Sequence, residues 1–342
     1  MPDAMARLTT LYPASARPRS VPTALGSAGG GSGARLWRFE SGVGPLVARA
    51  WPPDGPGPDA LRAIHARLAA LGDLDFVPVP LATLDGRTLV PAEGRWWEVA
   101  PWCPGVAEMS RPPGSGRLRA ASAGLAAVHQ RWALTSVIAT SPGLRARLAE
   151  VQDWLGTDLG RLEALVAHET TGTVVGLARR WLAIARDGLS RVAGRLRREA
   201  SEAVTIQPIV RDARPEHFLF TGDRLTGLVD FGAMGVDDPA ADLARLLGEW
   251  VGDDPGLRAE ALTAYASIRP LGPGDFDRIV AFEESAAWLG PARWLRWEYL
   301  DRRPFADPEA VTTGLDRAMR RLIERIGPGA ALLDPGRSDT SR

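Results

Sequence analysis

The stretch from Ile209 to Gly248 reads IVRDARPEHFLFTGDRLTGLVDFGAMGVDDPAADLARLLG. An apolar run delivers Asp212 into a polar loop, and a short strand, HFLF, leaves that loop. The tight turn TGDR then returns the chain through LTGLV to a second carboxylate, Asp230, followed by Phe231 and Gly232. Such a hairpin brings two carboxylates, 18 positions apart in the chain, to the same end of a small ribbon. That pairing is what phosphoryl transfer from a nucleotide requires. One carboxylate orients and deprotonates an acceptor hydroxyl, and the other holds the cation that neutralises the phosphates.

Taken together, DARPEHFLF, TGLVDFG and DDPAADLARLLG resemble the catalytic segment of the aminoglycoside phosphotransferase and choline kinase superfamily. The resemblance implies a protein-kinase-like α+β fold with a small β-rich N-lobe and a larger, mostly helical C-lobe. It implies Asp212 as catalytic base, Asp230 as metal ligand and Asp242 as a buried carboxylate bracing the catalytic loop. ATP or GTP with Mg²⁺ would be the phosphoryl source.

Three departures qualify this pattern. The family's asparagine, five residues after the base, is His217 here, and an imidazole nitrogen is a poorer magnesium ligand than an amide oxygen; His217 would contact phosphate when protonated, favour Mn²⁺, or bind no metal. The His-Gly before the base is Val210-Arg211, and Arg211 beside Asp212 would favour the ionised carboxylate. Kinase folds also pair their phosphate-binding cation with a glutamate on the first helix. The segment PDALRAIHARLAALG has no Glu, only Asp59 at its start and His65 in its middle.

Upstream, GSAGGGSGA spans Gly26 to Ala34 and contains the string Gly29-x-Gly31-x-x-Ala34. A dinucleotide-binding turn of that form opens a helix, whereas here the runs RLWRFE and PLVARAW, joined by SGVG, read as a β-hairpin. No Gly-Lys-Ser/Thr follows, which excludes a Walker P-loop. A glycine loop in a hairpin, with Gly29, Gly31 and Gly33 approaching phosphate through their backbone, is the kinase-type lid. The plainer reading is a Gly/Ser linker. Arg49 falls where the family carries its phosphate-binding Lys or Arg, with Arg38 on the neighbouring strand as its rival. The stretch WWEVAPWCPG resembles the family's hinge. Pro101 has no N–H, so Ala100 and Trp102 are the candidates to meet the base.

Downstream, FEESAAWLGPARWLRWEYLDRRPF gathers Glu283, Glu284, Trp288, Trp294, Trp297, Glu298 and Tyr299. Acidic and aromatic groups together suit an amine-bearing acceptor, and Glu283, Glu284 and Trp288 are the candidate pocket. The same spacing is also that of ordinary helical core, to which most of these tryptophans belong.

Composition bounds the partners. Lys+Arg and Asp+Glu balance at 41 each, removing any global electrostatic case for nucleic acid or an anionic membrane. One cysteine, Cys103, excludes an internal disulfide, and no Cys/His cluster has zinc spacing. No apolar stretch approaches the ~20 residues needed to span a bilayer, and the start lacks a signal-peptide core, so cytoplasm is the expected location. The expected organisation is a poorly ordered segment over 1–22, a nucleotide-binding N-lobe over 23–100, a helical C-lobe over 101–328 and a disordered tail over 329–342. Oligomeric state is not legible.

The leading reading is a nucleotide-dependent kinase acting on a small-molecule hydroxyl. Its rivals are a catalytically silent relative that binds nucleotide or ligand in a regulatory role, and an enzyme transferring another part of the nucleotide.

Overall fold

The computed structural model describes residues 2–26, 33–305, 307 and 309–327. Gly29 and Gly31 of the glycine stretch, and the tail over 329–342, lie outside the described residues. In chain order the elements are α1 (Pro2–Thr10), β1 (Thr23–Gly26), β2 (Arg35–Ser41), β3 (Gly44–Ala50), α2 (Pro58–Ala69), β4 (Val90–Ala92), β5 (Arg95–Pro101), β6 (Val106–Ala107) and α3 (Ser115–Trp132). They continue with β7 (Val137–Thr140), α4 (Pro142–Asp153), α5 (Leu159–Ala167), α6 (Thr173–Glu199) and β8 (Ala203–Ile209). Then follow β9 (Phe218–Thr221), β10 (Arg224–Leu228), β11 (Gly235–Asp237), α7 (Ala240–Leu246), α8 (Pro255–Ala266), α9 (Pro273–Leu295) and α10 (Ala310–Ile326). The class is α+β, as expected.

The chain divides into two compact units whose segments interleave. The first takes Met1–Thr135, Pro208–Gly235 and Ala259–Pro270, and the second takes Ser136–Gln207, Val236–Arg258 and Leu271–Arg342. This differs from a single division at residues 100 and 101. The reason is packing: Leu228 N–H of the hairpin donates to the Phe76 carbonyl at 2.8 Å, and Trp132 Nε1 at the end of α3 donates to the Arg67 carbonyl at 2.9 Å, so the hairpin and α3 group with the N-terminal part.

In the first unit a five-stranded antiparallel sheet runs in the order β1-β2-β3-β5-β4. Alternation along β3 and β5 gives the sheet two faces. Phe39, Leu46, Ala48, Trp97 and Val99 form one core with Leu8 and Tyr12. Residues 1–22 are therefore not the loose segment expected, because Leu8 and Tyr12 bury apolar surface that the polar composition around them concealed. On the other face Trp51, Leu61 and Leu89 pack together with Trp96. Leu61 belongs to α2, which starts at Pro58, where a missing N–H costs nothing, and buries Leu61, Ile64, His65 and Leu68. The run VPVPLATL is irregular, since Pro78 and Pro80 remove two ladder donors, and Leu81 N–H donates to the Val99 carbonyl at 2.8 Å. A second small sheet, β10-β9-β6, carries the β9–β10 hairpin.

The second unit is mostly helical around α9, which packs on α6, α7 and α10. Helix α4 is capped by Ser141, whose Oγ accepts from Leu144 N–H at 3.1 Å. Along α10 the buried Val311, Leu315, Met319 and Leu322 recur at helical spacing. Strands β7, β8 and β11 form a three-stranded sheet in the order β11-β8-β7. Among the described residues no helix is long and apolar enough to cross a membrane.

Candidate functional site

The expected hairpin is present. Strands β9 and β10 pair in antiparallel register around Gly222, whose φ of +61° is the left-handed turn conformation that glycine adopts without penalty. Ile209 and Val210 are fully buried, and the chain surfaces at Asp212. The loop is closed by its own backbone: Arg214 N–H donates to the Asp212 carbonyl at 2.9 Å, and His217 N–H to that of Arg214 at 3.0 Å. Val229 N–H donates to the His217 carbonyl at 2.9 Å, which ties the return strand to the loop just before Asp230. Arg211 and Asp230 both take positive φ, +65° and +62°. For non-glycine residues that conformation costs roughly 1 kcal/mol or more each, and these hydrogen bonds hold it.

His217 joins the two carboxylates. Its Nδ1 lies 2.7 Å from the Asp212 backbone carbonyl. A carbonyl only accepts, so Nδ1 carries the hydrogen and, in the neutral ring, Nε2 keeps its lone pair. That Nε2 stands 3.6 Å from Asp230 Oδ2, and Nδ1 is 3.9 Å from Asp212 Oδ2. The His217 side chain is 13% exposed, against 26% for Asp212 and 48% for Asp230.

Arg214 brings a cation to the expected base: its Nε lies 2.8 Å from Asp212 Oδ1 in a charge contact that lacks hydrogen-bond alignment. The Arg211 guanidinium lies against Gly235, where a Cβ would collide with it. Sequence reading passed over Arg214, although it sits only two residues beyond Asp212.

Arg49 lies on the α2 face of the sheet and directly opposite Glu98 in the β3–β5 register. Its Nη1 is 3.6 Å from Glu98 Oε1, and its guanidinium carbon lies 5.0 Å from the centre of the Trp51 ring. Glu98 Oε2 accepts from Trp51 Nε1 at 2.9 Å and from His65 Nε2 at 2.8 Å. Burial would push the Glu98 carboxyl up, but the hydrogen bond from His65 and the charge of Arg49 outweigh it and hold the carboxyl below its usual range. The counter-charge missing from the first helix is thus supplied by the neighbouring strand. Arg38, the rival, extends over the Trp102 ring at 4.9 Å.

At the connector, Trp102 N–H donates to the Pro45 carbonyl at 2.9 Å, which takes that amide out of its expected role toward a base edge. Ala100 is buried opposite Val47. A cavity of about 490 Å³ beside the connector is lined by Leu74, Val77, Leu81, Trp102 and Cys103 among others. Burial pushes the Cys103 thiol up to about 11. Of the glycine loop, Gly33 is described, with φ of +68°.

The residues expected to receive an acceptor lie in the second unit, and each is engaged there. Glu283 is buried and accepts from Arg258 at 2.7 and 2.8 Å and from Arg325 at 3.0 Å. Glu284 accepts from Arg195 Nε at 2.7 Å with its side chain 31% exposed. Trp288 packs over Gly188, where a Cβ would meet the indole ring at 2.0 Å. Asp242 is fully buried in the first turn of α7.

A profile of the phosphotransferase enzyme family (APH) matches residues 26–279. The homoserine kinase of Methylocella silvestris is 36% identical over 81 residues, covering 22% of this chain and 25% of that protein, and that of Parvibaculum lavamentivorans gives the same figures. The chain thus aligns with about a quarter of the length of these curated relatives. Among solved structures, an aminoglycoside phosphotransferase from Alicyclobacillus acidocaldarius superposes with a TM-score of 0.66 at 16% identity, covering 97% of this chain and 95% of that one. A microcompartment-associated aminopropanol kinase gives 0.62 at 17% identity with 94% of each chain covered. A spectinomycin phosphotransferase in complex with ADP and spectinomycin gives 0.60 at 9% identity, covering 87% and 90%. At such identities the likeness is one of fold, the kinase-like α+β architecture of these proteins. The chain belongs to the phosphotransferase enzyme family.

Proposed function

We propose that this protein is a nucleotide-dependent kinase that moves the γ-phosphoryl group of ATP or GTP to a hydroxyl of a small, amine-bearing molecule. The observation that carries the proposal is the gathering of Asp212, His217 and Asp230 on one loop and hairpin. Asp212 takes the proton of the acceptor hydroxyl as its oxygen bonds to the γ-phosphorus. The bond to the bridging oxygen breaks with its electron pair, and the nucleoside diphosphate departs. Arg49 meets the α- and β-phosphates.

Asp230 and His217 are the residues to hold a divalent cation. Among the described residues no cluster of three or more His, Cys, Asp or Glu forms a metal site, so phosphate oxygens would complete the coordination. The donors fit: Asp230 offers a carboxylate, and His217 offers the Nε2 lone pair that its Nδ1 hydrogen bond leaves exposed toward Asp230. Such a mixed set suits Mn²⁺ at least as well as Mg²⁺. The cation would neutralise the charge on the phosphates.

The relatives' names support the acceptor class. Homoserine, aminopropanol and aminoglycosides each carry an amine and a hydroxyl. The protein's location is proposed to be cytoplasmic, where nucleotide is available and a lone thiol stays reduced.

The test follows nucleotide binding and turnover with Mg²⁺ and Mn²⁺ over a panel of amino alcohols and aminosugars, using wild type, Asp212→Ala and Asp230→Ala. Turnover that vanishes in Asp212→Ala supports the kinase; absence of nucleotide binding in wild type overturns it. One observation favours a second reading, a silent or regulatory binder: Arg214 Nε lies 2.8 Å from Asp212 Oδ1 and competes with an acceptor for that carboxylate. Tight nucleotide binding without turnover on any acceptor, with turnover appearing in Arg214→Ala, would establish that reading instead.

A further inference from the structure

Glu98 is 7% exposed and His65 5%, yet both are polar and lie beneath a sheet face lined with tryptophan. A buried carboxylate is retained at a cost unless its charge is compensated and its lone pairs are filled. Here compensation is complete on one side and open on the other. Oε2 accepts from Trp51 Nε1 at 2.9 Å and from His65 Nε2 at 2.8 Å. Oε1 faces Arg49 Nη1 at 3.6 Å, close enough for charge pairing but longer than a hydrogen bond. His65 is itself fixed from behind, since its Nδ1 lies 2.8 Å from Thr88 Oγ1. A carboxylate accepts, so His65 Nε2 carries the hydrogen, and in the neutral ring Nδ1 accepts from the Thr88 hydroxyl.

The chain of contacts therefore runs Thr88, His65, Glu98, Arg49, and crosses from α2 to the sheet. Trp51 closes it twice, donating through Nε1 to Glu98 and presenting its ring to the Arg49 guanidinium 5.0 Å away. Arg49 keeps 26% of its side chain exposed while Glu98 keeps 9%, so the arginine is the end of the chain that faces solvent. Leu61, Ile64 and Leu68 bury the apolar face of α2, and His65 adds its polar link to the sheet.

We propose that Glu98 is a positioning residue for Arg49 and that His65 orients Glu98, so the seating of α2 is transmitted to the arginine through an imidazole–carboxylate relay. This rests on the reading of Arg49 as a phosphate-binding residue. Arg49 held by two fixed partners loses less rotamer freedom on meeting a polyphosphate than a free arginine would. Truncating either partner therefore weakens phosphate binding without touching the ligand.

The test measures binding of ATP, GTP and inorganic tripolyphosphate by calorimetry on the full chain, with Mg²⁺ and with Mn²⁺, beside thermal melting and steady-state kinetics. Glu98→Gln is expected to raise the nucleotide Kd and KM roughly tenfold while changing kcat less. In an Arg49→Ala background the same substitution should leave Kd unchanged, because its route to the ligand is gone. Should Glu98→Gln not fold, His65→Ala carries the test, with Kd rising several-fold and His65→Gln, whose amide can still donate, restoring it. A lower melting temperature with Kd and KM unchanged, or an equal Kd penalty in the Arg49→Ala background, overturns the relay alone. Failure of wild type to bind any of the three polyphosphates overturns the relay and the kinase reading together.

Discussion

The Nε2 of His217 stands 3.6 Å from Asp230 Oδ2, with the opposite ring nitrogen tied to the backbone carbonyl of Asp212. This pairing puts an imidazole nitrogen beside the carboxylate proposed to hold the cation. It also bonds the ring to the loop that carries the base, so the ring cannot turn away without breaking the 2.7 Å contact.

Cation preference should follow from that nitrogen. Wild type is expected to bind nucleotide more tightly with Mn²⁺ than with Mg²⁺, and His217→Asn to raise the Mg²⁺-supported rate roughly tenfold while lowering Mn²⁺ preference. Calorimetry with each cation, alongside turnover, reads both effects; a Mg²⁺ rate that stays flat or falls counts against His217 as a ligand.

The two carboxylates should separate kinetically. Asp212→Ala is expected to lower kcat about a hundredfold to ten-thousandfold with nucleotide affinity nearly unchanged. Asp230→Ala should instead abolish the dependence of nucleotide binding on the cation. Stopped-time product assays and binding isotherms on both variants distinguish these patterns.

Glu283 is bound by two arginines in a buried position, its side chain 4% exposed. Glu283→Gln would leave Arg258 and Arg325 with diminished counter-charge and is expected to destabilise the fold by about 3 kcal/mol. Denaturant unfolding measures this. The acceptor KM of the folded fraction should stay near that of wild type, and a KM increase with unaltered stability would restore Glu283 to the acceptor site.

Cys103, half-buried beside the connector, has its thiol pushed up from 9.0 to about 11 by burial. At pH 8 its thiolate fraction should be about a hundredfold below that of an ordinary thiol, so alkylation by iodoacetamide should be correspondingly slow. Because the folded pKa lies above the unfolded one, this group's contribution to stability is fully present below about pH 9. It is lost as pH rises through about 11. Cys103→Ala should flatten that part of the pH–stability curve, which thermal melts between pH 8 and pH 11 would show.

Much of the candidate site was legible because its signals are local. Asp212 and Asp230 are linked by one hairpin, and the turn at Gly222, the apolar run before the base and the Phe231 that follows all lie within a few residues of the groups they place. Arg214 was equally local and still passed unread. A charge two residues from the base can point several ways, and only its 2.8 Å approach to Asp212 gives it meaning.

The other misreadings share a cause. Leu8 and Tyr12 sit in a polar, proline-bearing segment whose composition resembles a loose terminus, but the sheet offers them an apolar face to cover. Glu283 and Trp288 have the chemistry of an amine pocket, yet Arg258, Arg325 and the bare backbone of Gly188 absorb them.

By itself the sequence determined the family, the α+β class and the hairpin with its two carboxylates, with His217 beside them. These follow from short-range spacing and from residue types whose chemistry does not depend on distant neighbours. Tertiary structure alone decided what holds Arg49. Its partner Glu98 lies 49 positions away and His65 lies on another element, brought together by strand register and helix packing. A sequence lists the charges, but burial decides which of them must find each other, and burial is a property of the assembled sheet.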